Sequence, residues 1–295
     1  MRRALMLGVT AAVAAVLAGV AALGARADAR PSVLRAGNPA GIVFAHGSSG
    51  NARPHGKSPD LIWHNGDVMH SGADVTPIFW GSSWAAGDDE VTGLGDFYAG
   101  VGGTSYLGTT TEYTDSSGHV SDGVTSGSAL FDGSSAPRRA PSTSAVLAVV
   151  DANIAKPVAN GYYPVYSDQP RGHANYCAWH SWGTINGVLV QFAFFFKLDS
   201  DPGCDPGDDT SGNSQGLAAL ANVSGHELSE ALTDPHGDGW YDSSGEENAD
   251  KCAWTFSGNL LSFGKRQWKI QGNWSNAAYD NGGTGYDGSG CIDGS

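Results

Sequence analysis

An apolar run at residues 188–196, VLVQFAFFF, constrains the fold more than any other stretch, because Gln191 is its only polar side chain. A strand with one solvated face alternates apolar and polar residues, whereas a strand that is apolar throughout is buried on both faces. We therefore predict a central strand here. The compact run AVLAVV at residues 145–150 is interpreted as a second buried strand of the same sheet.

Residues 214–233 carry the best helical pattern in the chain. Asn213 or Ser214 is suited to cap the first turn, and Pro235 prevents the helix from continuing. At about 100° per residue, leucines and alanines collect on one side of this helix. The predicted fold class is α+β, with a mixed sheet packed on the helix.

Three weaker patterns complete the predicted elements. Residues 75–80 predict a strand, which Pro77 places at a sheet edge because proline donates no backbone hydrogen bond. Residues 88–98 predict a short helix. Residues 118–139 are rich in Gly and Ser and predict a surface loop.

Residues 1–29 have the features of a secretory signal peptide, since Arg2 and Arg3 precede an apolar run that ends in small residues. No later segment approaches the ~20 apolar residues that span a bilayer. Residues 30–59, rich in Gly, Ser, Ala and Pro, predict a flexible segment. Residues 60–295 predict a single α+β domain of catalytic type. We expect a secreted, extracellular protein with no membrane contact after signal cleavage.

The charge balance limits the classes of partner. The chain has 30 Asp and Glu against 16 Lys and Arg, a formal net charge of −14. An acidic surface repels nucleic acids and anionic membranes, so we exclude both as partners. We expect a monomer that acts on an extracellular protein or peptide substrate.

Four cysteines, an even number in an exported chain, favour two disulfides. Three pairings are possible, and the sequence alone does not decide among them. We favour Cys177–Cys204 with Cys252–Cys291, because these pairs close local loops.

The segment HELSE at residues 226–230 carries the most specific chemistry. His226 and Glu230 lie one helical turn apart on the side opposite the apolar stripe, so both point into the same space. An HExxH helix presents two zinc ligands in this way, and here Glu replaces the second His. Glu227 is placed to act as general base toward a metal-bound water. The alternative is a solvated helix face with a simple His–Glu pair.

A third metal ligand is expected downstream of the helix. The chain has six Glu, of which four fall within residues 227–247. Glu247 and Asp250 fit the expected spacing of a third zinc ligand, and Glu246 fits slightly less well. These three carboxylates remain open alternatives.

Two further side chains near the helix end are given supporting roles. Asp234 is expected to orient a ligand or the following turn. Tyr241 is expected to donate a hydrogen bond to a developing oxyanion. Four histidines lie among aromatic and Asn residues: His64, His70, His173 and His180. Each of them, taken alone, is interpreted as a structural residue. The segments that contain His64 and His180 are suited to line a cleft.

Residues 199–209, DSDPGCDPGDD, are similar to a calcium loop in composition. Gly203 stands where the EF-hand pattern requires the third Asp or Asn. A solvated turn is therefore the preferred interpretation, and a structural Ca²⁺ is the alternative.

Several blocks together resemble the phosphate-induced protein 1 (EXORDIUM-like) family. These are WHNGDVM at residues 63–69, VTPIFWG at 75–81, FYAGVGGTSY at 97–106, SGHELSEALTDP at 224–235 and QGNWSN at 271–276. The resemblance covers nearly all of the expected mature chain and is most specific in the helix block. It is closest to the pattern of bacterial secreted relatives.

The resemblance implies a zincin-like fold and a zinc metallopeptidase activity. It implies that His226, Glu230 and either Glu247 or Asp250 bind Zn²⁺, with Glu227 as base. Plant members of the family keep the His–Glu pair without a matching downstream Glu. The alternative function is therefore a non-catalytic extracellular binding or signalling protein, associated with cell wall or glycan, whose Trp and Tyr side chains supply stacking surfaces.

Overall fold

A mixed sheet of eight strands forms the centre of the computed structural model, which describes residues 34–48 and 60–295. The described residues belong to one unit of the chain. The strands, in chain order, are β1 (Ala40–Phe44), β2 (Ile62–Trp63), β3 (Ala73–Val75), β4 (Ile78–Trp80), β5 (Val124–Ser126), β6 (Leu130–Asp132), β7 (Gly161–Pro170), β8 (Tyr176–Ile185), β9 (Val188–Lys197), β10 (Trp240–Tyr241), β11 (Leu261–Phe263), β12 (Arg266–Trp268), β13 (Asn273–Trp274) and β14 (Cys291–Ile292).

Five helices accompany the strands. They are α1 (Asp89–Val101), α2 (Ser105–Gly108), α3 (Thr143–Asn153), α4 (Gln215–Thr233) and α5 (Asn276–Asp280), with short 3-10 helices at Thr109–Glu112 and Asp250–Cys252. The predicted helix at residues 88–98 is confirmed as α1, and the predicted helix at residues 214–233 is confirmed as α4, capped by the Ser214 hydroxyl.

The sheet is mixed in strand direction. The main order is β1-β8-β9-β7-β3-β5, and β4 lies between β7 and β6. β9 runs antiparallel to β8 and parallel to β7. The central strand predicted at residues 188–196 is therefore confirmed, and its Val190 to Phe196 side chains are all buried. The predicted mixed sheet packed on the long helix is confirmed as well.

Helices cover both faces of the sheet. His180 of β8 faces α4, where its Nε2 lies 3.9 Å from Glu230 Oε2. Gly183, three residues along the same strand, lies against Leu147 of α3. Because successive strand residues point to opposite faces, α3 and α4 lie on opposite sides of β8. Because helices cover both faces of the sheet, the central strand β9 is apolar at nearly every position.

The strand predicted at residues 145–150 is wrong, because these residues form part of α3. Ser142 caps the helix by accepting a hydrogen bond from the Ala145 N–H at 3.3 Å. Val146, Leu147, Val149 and Val150 are buried while Ala148 is exposed, which is the spacing of a helical stripe. A short apolar run does not distinguish a buried strand from a buried helix by its period.

The strand predicted at residues 75–80 is divided into β3 and β4, and neither strand lies at an edge. Each has strand partners on both sides. Pro77 stands in the gap between them, where no ladder donor is needed, and its carbonyl accepts from the Leu130 N–H. Because Pro77 lies in a break between two strands, its missing N–H does not require an edge strand. The sequence pattern did not reveal this break.

Two segments predicted to be irregular contain strands. The loop expected at residues 118–139 contributes β5 and β6, which are half-exposed edges of the sheet. The flexible segment expected at residues 30–59 contains β1, which pairs with β8. Residues 30–33 and 49–59, like the signal peptide expected at residues 1–29, lie outside the described residues.

Both predicted disulfides are confirmed, Cys177–Cys204 and Cys252–Cys291. Such bonds fit an oxidising compartment. Within the described residues, none of the helices has the length and apolar character that a membrane crossing requires.

Candidate metal centre

The helix α4 carries three ionisable side chains that are fully buried: His226, Glu227 and Glu230. Every residue of α4 after Gln215 is buried, so the alternative of a solvated helix face is wrong. The side opposite the leucine stripe is covered by β1, β8 and the 3-10 helix at Asp250–Cys252. Inside this cover, His226 Nε2 lies 3.0 Å from Glu230 Oε1.

Asp250 completes a first group with these two side chains. Its backbone N–H donates to Glu230 Oε1 at 2.8 Å, and its Oδ1 lies 3.5 Å from His226 Nε2. Ligand atoms of His226, Glu230 and Asp250 all lie within 4.8 Å of one another, a separation suited to one metal ion. Among the expected third ligands, Asp250 is thus the carboxylate that contacts His226.

Glu247 takes a different position from the one expected for it. It is buried, and its Oε2 lies 3.2 Å from His180 Nε2 on β8. Glu246 is half-buried and lines the neighbouring cavity. Both glutamates line this cavity, but Glu247 is the one that also contacts His180.

His180 belongs to a second group that the sequence patterns did not identify. One ligand atom each of His180, Glu227 and Glu230 lies within 4.8 Å of the others. His180 comes from β8, far from α4 in the chain, so no short motif connects it to the helix. Its one sequence signal is a histidine beside Trp179 and Ser181 in a strand that is otherwise mostly apolar.

Several buried polar atoms of this cluster have no hydrogen-bond partner among the described residues. These are both carboxylate oxygens of Glu227, Glu230 Oε2 and His226 Nε2. His226 Nε2 lies close to Glu230, but the contact lacks hydrogen-bond geometry. A buried polar atom without a partner costs about 1–3 kcal/mol, and more when charged. Carboxylate oxygens and an imidazole nitrogen are atom types that bind divalent cations.

The cluster has strongly perturbed acid–base properties. Burial, reinforced by Asp250, raises the pKa of Glu230 to about 7. Burial also raises the pKa values of Glu227 and Glu247 well above the usual range. Burial, together with the nearby His226, lowers the pKa of His180 to about 3, so its imidazole is neutral and keeps a lone pair.

Gln271 fixes the ring of His226. Its Oε1 accepts from the Trp254 N–H at 3.1 Å, and its Nε2 donates to the Ala249 carbonyl at 2.9 Å. The same Nε2 lies 2.9 Å from His226 Nδ1, so Nδ1 is the acceptor and the neutral ring carries its proton on Nε2. Burial opposes a charged ring, while Glu230 and Asp250 act more strongly to raise its pKa. We favour the neutral ring, because a second proton would face the Gln271 amide.

The strand β1 closes over the cluster at Gly41. A Cβ atom at this position would lie 1.8 Å from Glu230 Oε2, and the backbone has φ +50°. Beside β1 a cavity of about 520 Å³ opens. Its lining includes Trp182, Tyr241, Glu247 and Asp250. Glu247 and Asp250 therefore connect the buried cluster with the cavity.

Tyr241 lies in the cavity wall, not in the buried cluster. Its ring stacks on His64 with centroids 3.5 Å apart. Tyr241 is a lining residue of the cavity, and its expected role as a hydrogen-bond donor stays a prediction. Asp234 accepts from the Gly239 N–H at 2.6 Å, so it orients the turn that follows α4, as the sequence predicted.

The loop at residues 199–209 uses its carboxylates for internal contacts. Asp201 is paired with Arg171 at 2.7 and 2.8 Å, and Asp208 accepts from the backbone of Thr210 and Ser211. Within the described part of the chain, the groups suited to a metal lie around α4 and do not include this loop. Structural Ca²⁺ there stays a prediction without support from these contacts.

All nine Trp and ten Tyr lie in the described residues, and each is buried or half-buried. No family model, curated protein or solved structure matches this chain. The resemblance to the phosphate-induced protein 1 family therefore stays a prediction.

Proposed function

We propose that this protein is a secreted metal-dependent hydrolase, most simply a zinc metallopeptidase with a zincin-like HExxE helix. The observation that carries the proposal is the set of orphaned, fully buried atoms on Glu227 and Glu230. A protein that binds partners through its surface has no use for such a cluster. Catalytic sites, in contrast, are where burial and like charges are combined.

The residues of the first group have the chemistry to hold the cation: His226, Glu230 and Asp250. Imidazole nitrogen and carboxylate oxygen are both accepted zinc ligands. A divalent cation bound there supplies Lewis-acid activation of water at neutral pH. Zn²⁺ is preferred because His nitrogen and carboxylate oxygen are combined in one set.

The chain's own groups account for proton transfer. Glu227 follows His226 directly and has both carboxylate oxygens without a protein partner. It accepts the proton of the attacking water and returns it to the leaving amine, as a general base and then acid.

The cavity beside β1 supplies the substrate position. Its volume of about 520 Å³ accommodates a few peptide side chains. Tyr241 in its wall donates a hydrogen bond to the developing oxyanion. A peptide in this cavity contacts Glu247 and Asp250 directly.

Cleavage of a peptide library by the purified mature protein, followed by mass spectrometry, tests this function. We expect cleavage that a chelator abolishes and that added Zn²⁺ restores. His226→Ala should lose activity by at least about 10³-fold, while the exposed His173→Ala serves as a matched control and keeps it. Bound metal without cleavage of any peptide would favour the alternative of a non-catalytic extracellular protein. Cleavage that a chelator leaves unchanged would overturn the metal-dependent mechanism.

A further inference from the structure

We propose that the cluster holds a second divalent cation, bound by His180, Glu227 and Glu230, so that Glu230 bridges two metal ions. This inference rests on the proposed function and extends the same site. The second position is formed by β8 and α4 and contains a histidine outside the HELSE segment. In the first position the cation is held by His226, Glu230 and Asp250.

Glu230 has the geometry of a bridging carboxylate. Its Oε1 faces the first position, 3.0 Å from His226 Nε2 and 2.8 Å from the Asp250 backbone nitrogen. Its Oε2 faces the other way, 3.9 Å from His180 Nε2, and has no hydrogen-bond partner among the described residues. The two oxygens of one carboxylate thus serve two different sets of side chains. Carboxylate-bridged pairs of metals about 3.5–4 Å apart are common in hydrolases.

The second position has its own complement of ligand atoms. His180 Nε2 lies 3.2 Å from Glu247 Oε2, so Glu247 is close enough to add a fourth ligand. Glu227 is fully buried, and neither of its oxygens has a hydrogen-bond partner in the described structure. One oxygen is sufficient for the cation, and the other remains available to accept a proton. A single cation at the first position would leave these atoms without a partner.

The number of carboxylates matches two divalent cations. Glu227, Glu230, Glu247 and Asp250 bring four negative charges when all are ionised, and the first three are buried. Two divalent cations would neutralise all four charges. With a single cation, the buried carboxyls that do not bind it would stay protonated, because an isolated buried charge is costly.

The experiment is a measurement of Zn²⁺ per chain. The full mature protein is saturated with Zn²⁺, freed of excess by gel filtration and analysed by inductively coupled plasma mass spectrometry. We expect about two equivalents in wild type and in His173→Ala, and about one in His180→Ala. Circular dichroism checks that each variant is folded.

The outcomes separate this inference from the proposed function. No tightly bound Zn²⁺ in wild type overturns both. One equivalent in wild type overturns the second position and leaves the hydrolase proposal intact. Two equivalents that persist in His180→Ala overturn the assignment of ligands.

If His180→Ala does not fold, electron paramagnetic resonance of the wild type loaded with Mn²⁺ decides the question. A spin-coupled pair of ions supports a bridge through Glu230. Two uncoupled ions, or a single ion, overturn the bridged pair.

Discussion

The contact between Gln271 and His226 bears directly on the proposal that this histidine binds a metal. Gln271 donates to Nδ1, so the proton of the neutral ring sits on Nε2, the atom that faces Glu230 and Asp250. A metal at Nε2 requires the proton to move to Nδ1, which then needs an acceptor. The Gln271 amide must turn over for this, giving up its contact with the Ala249 carbonyl. The carboxamide therefore weakens metal binding at His226.

Gln271→Glu is expected to tighten Zn²⁺ binding by about tenfold, because a carboxylate accepts the Nδ1 proton and strengthens the histidine as a ligand. Competition with a chromophoric chelator measures the change in Kd. Gln267→Glu on β12, where the side chain is exposed, adds the same charge away from the cluster and is the control. Unchanged or weaker Zn²⁺ binding in Gln271→Glu would show that the amide does not oppose the metal.

At the scale of elements, β1 and the 3-10 helix at Asp250–Cys252 complete the enclosure of α4. β1 passes so close to Glu230 that only a residue without Cβ fits at position 41. Asp250 is adjacent to Lys251 and the disulfide-bonded Cys252, so its position is set by the Cys252–Cys291 crosslink. The site therefore depends on segments that lie more than 180 residues apart in the chain.

Gly41→Ala is expected to reduce Zn²⁺ affinity by at least about tenfold and to destabilise the fold by about 3 kcal/mol. The new Cβ would displace the Glu230 carboxylate, and the backbone at φ +50° is unfavourable for alanine. Urea unfolding measures the change in unfolding free energy, and chelator competition measures the change in Zn²⁺ affinity. Gly47→Ala is the matched control, since φ is +74° there and no atom of the described residues lies within 4 Å of the new Cβ. Equal effects of the two substitutions on Zn²⁺ affinity would contradict the close approach at Gly41.

The turn after β7 is joined to the loop after β9 by the ion pair of Arg171 and Asp201. Both side chains are mostly buried, and the guanidinium contacts the carboxylate through two nitrogens. Burial acts to raise the pKa of Asp201, but the hydrogen bonds and charge of Arg171 lower it by more, so the net shift is downward. A carboxyl with a lowered pKa in the folded state stabilises the protein above its unfolded pKa of about 3.9.

Arg171→Met is therefore expected to lose about 1–2 kcal/mol of unfolding free energy at pH 7. The loss relative to wild type should begin to shrink below about pH 4, where the unfolded chain takes up the Asp201 proton. It should shrink further as the pH falls through the lowered pKa of Asp201 in the folded wild type. Urea unfolding at pH 7 and at pH 3.5 measures both differences, and the exposed Arg139→Met is the control. A loss that is independent of pH would mean that Arg171 acts by packing and not by charge.

At the scale of the whole molecule, the sequence patterns were most informative where one period dominated a long segment. α4 and β9 could be predicted because their patterns extend over 19 and 10 residues, and both disulfides because they close local loops. The run at residues 145–150 is too short for its period to distinguish strand from helix. The role of β1 depends on pairing with β8, a contact that no local pattern encodes.

Local sequence patterns also predicted only the part of the site that lies on or near one helix. His226, Glu227, Glu230 and Asp250 were predicted because three share a helix and the fourth follows at a suitable spacing. His180 reaches the cluster from another strand, and its neighbours in sequence carry no motif. The burial of the entire helix α4 also depends on the rest of the fold, so the sequence alone left a solvated helix face open as an alternative.

Metal binding should affect the stability of the entire chain. A ligand at a thousandfold excess over its Kd adds about 4 kcal/mol to the unfolding free energy. For a chain of this size that corresponds to a rise in Tm of about 10 °C. Differential scanning calorimetry with and without Zn²⁺ measures the shift. An equal rise in His226→Ala would place the stabilising metal outside the cluster.

The central claim is that a divalent cation binds among the buried carboxylates and histidines around α4. Crystals of the mature protein grown with Zn²⁺, with diffraction data collected above and below the zinc absorption edge, test it most directly. The account predicts an anomalous peak enclosed by His226, Glu230 and Asp250, with a second peak beside His180. Anomalous density confined to exposed carboxylates, with none in the cluster, would contradict it.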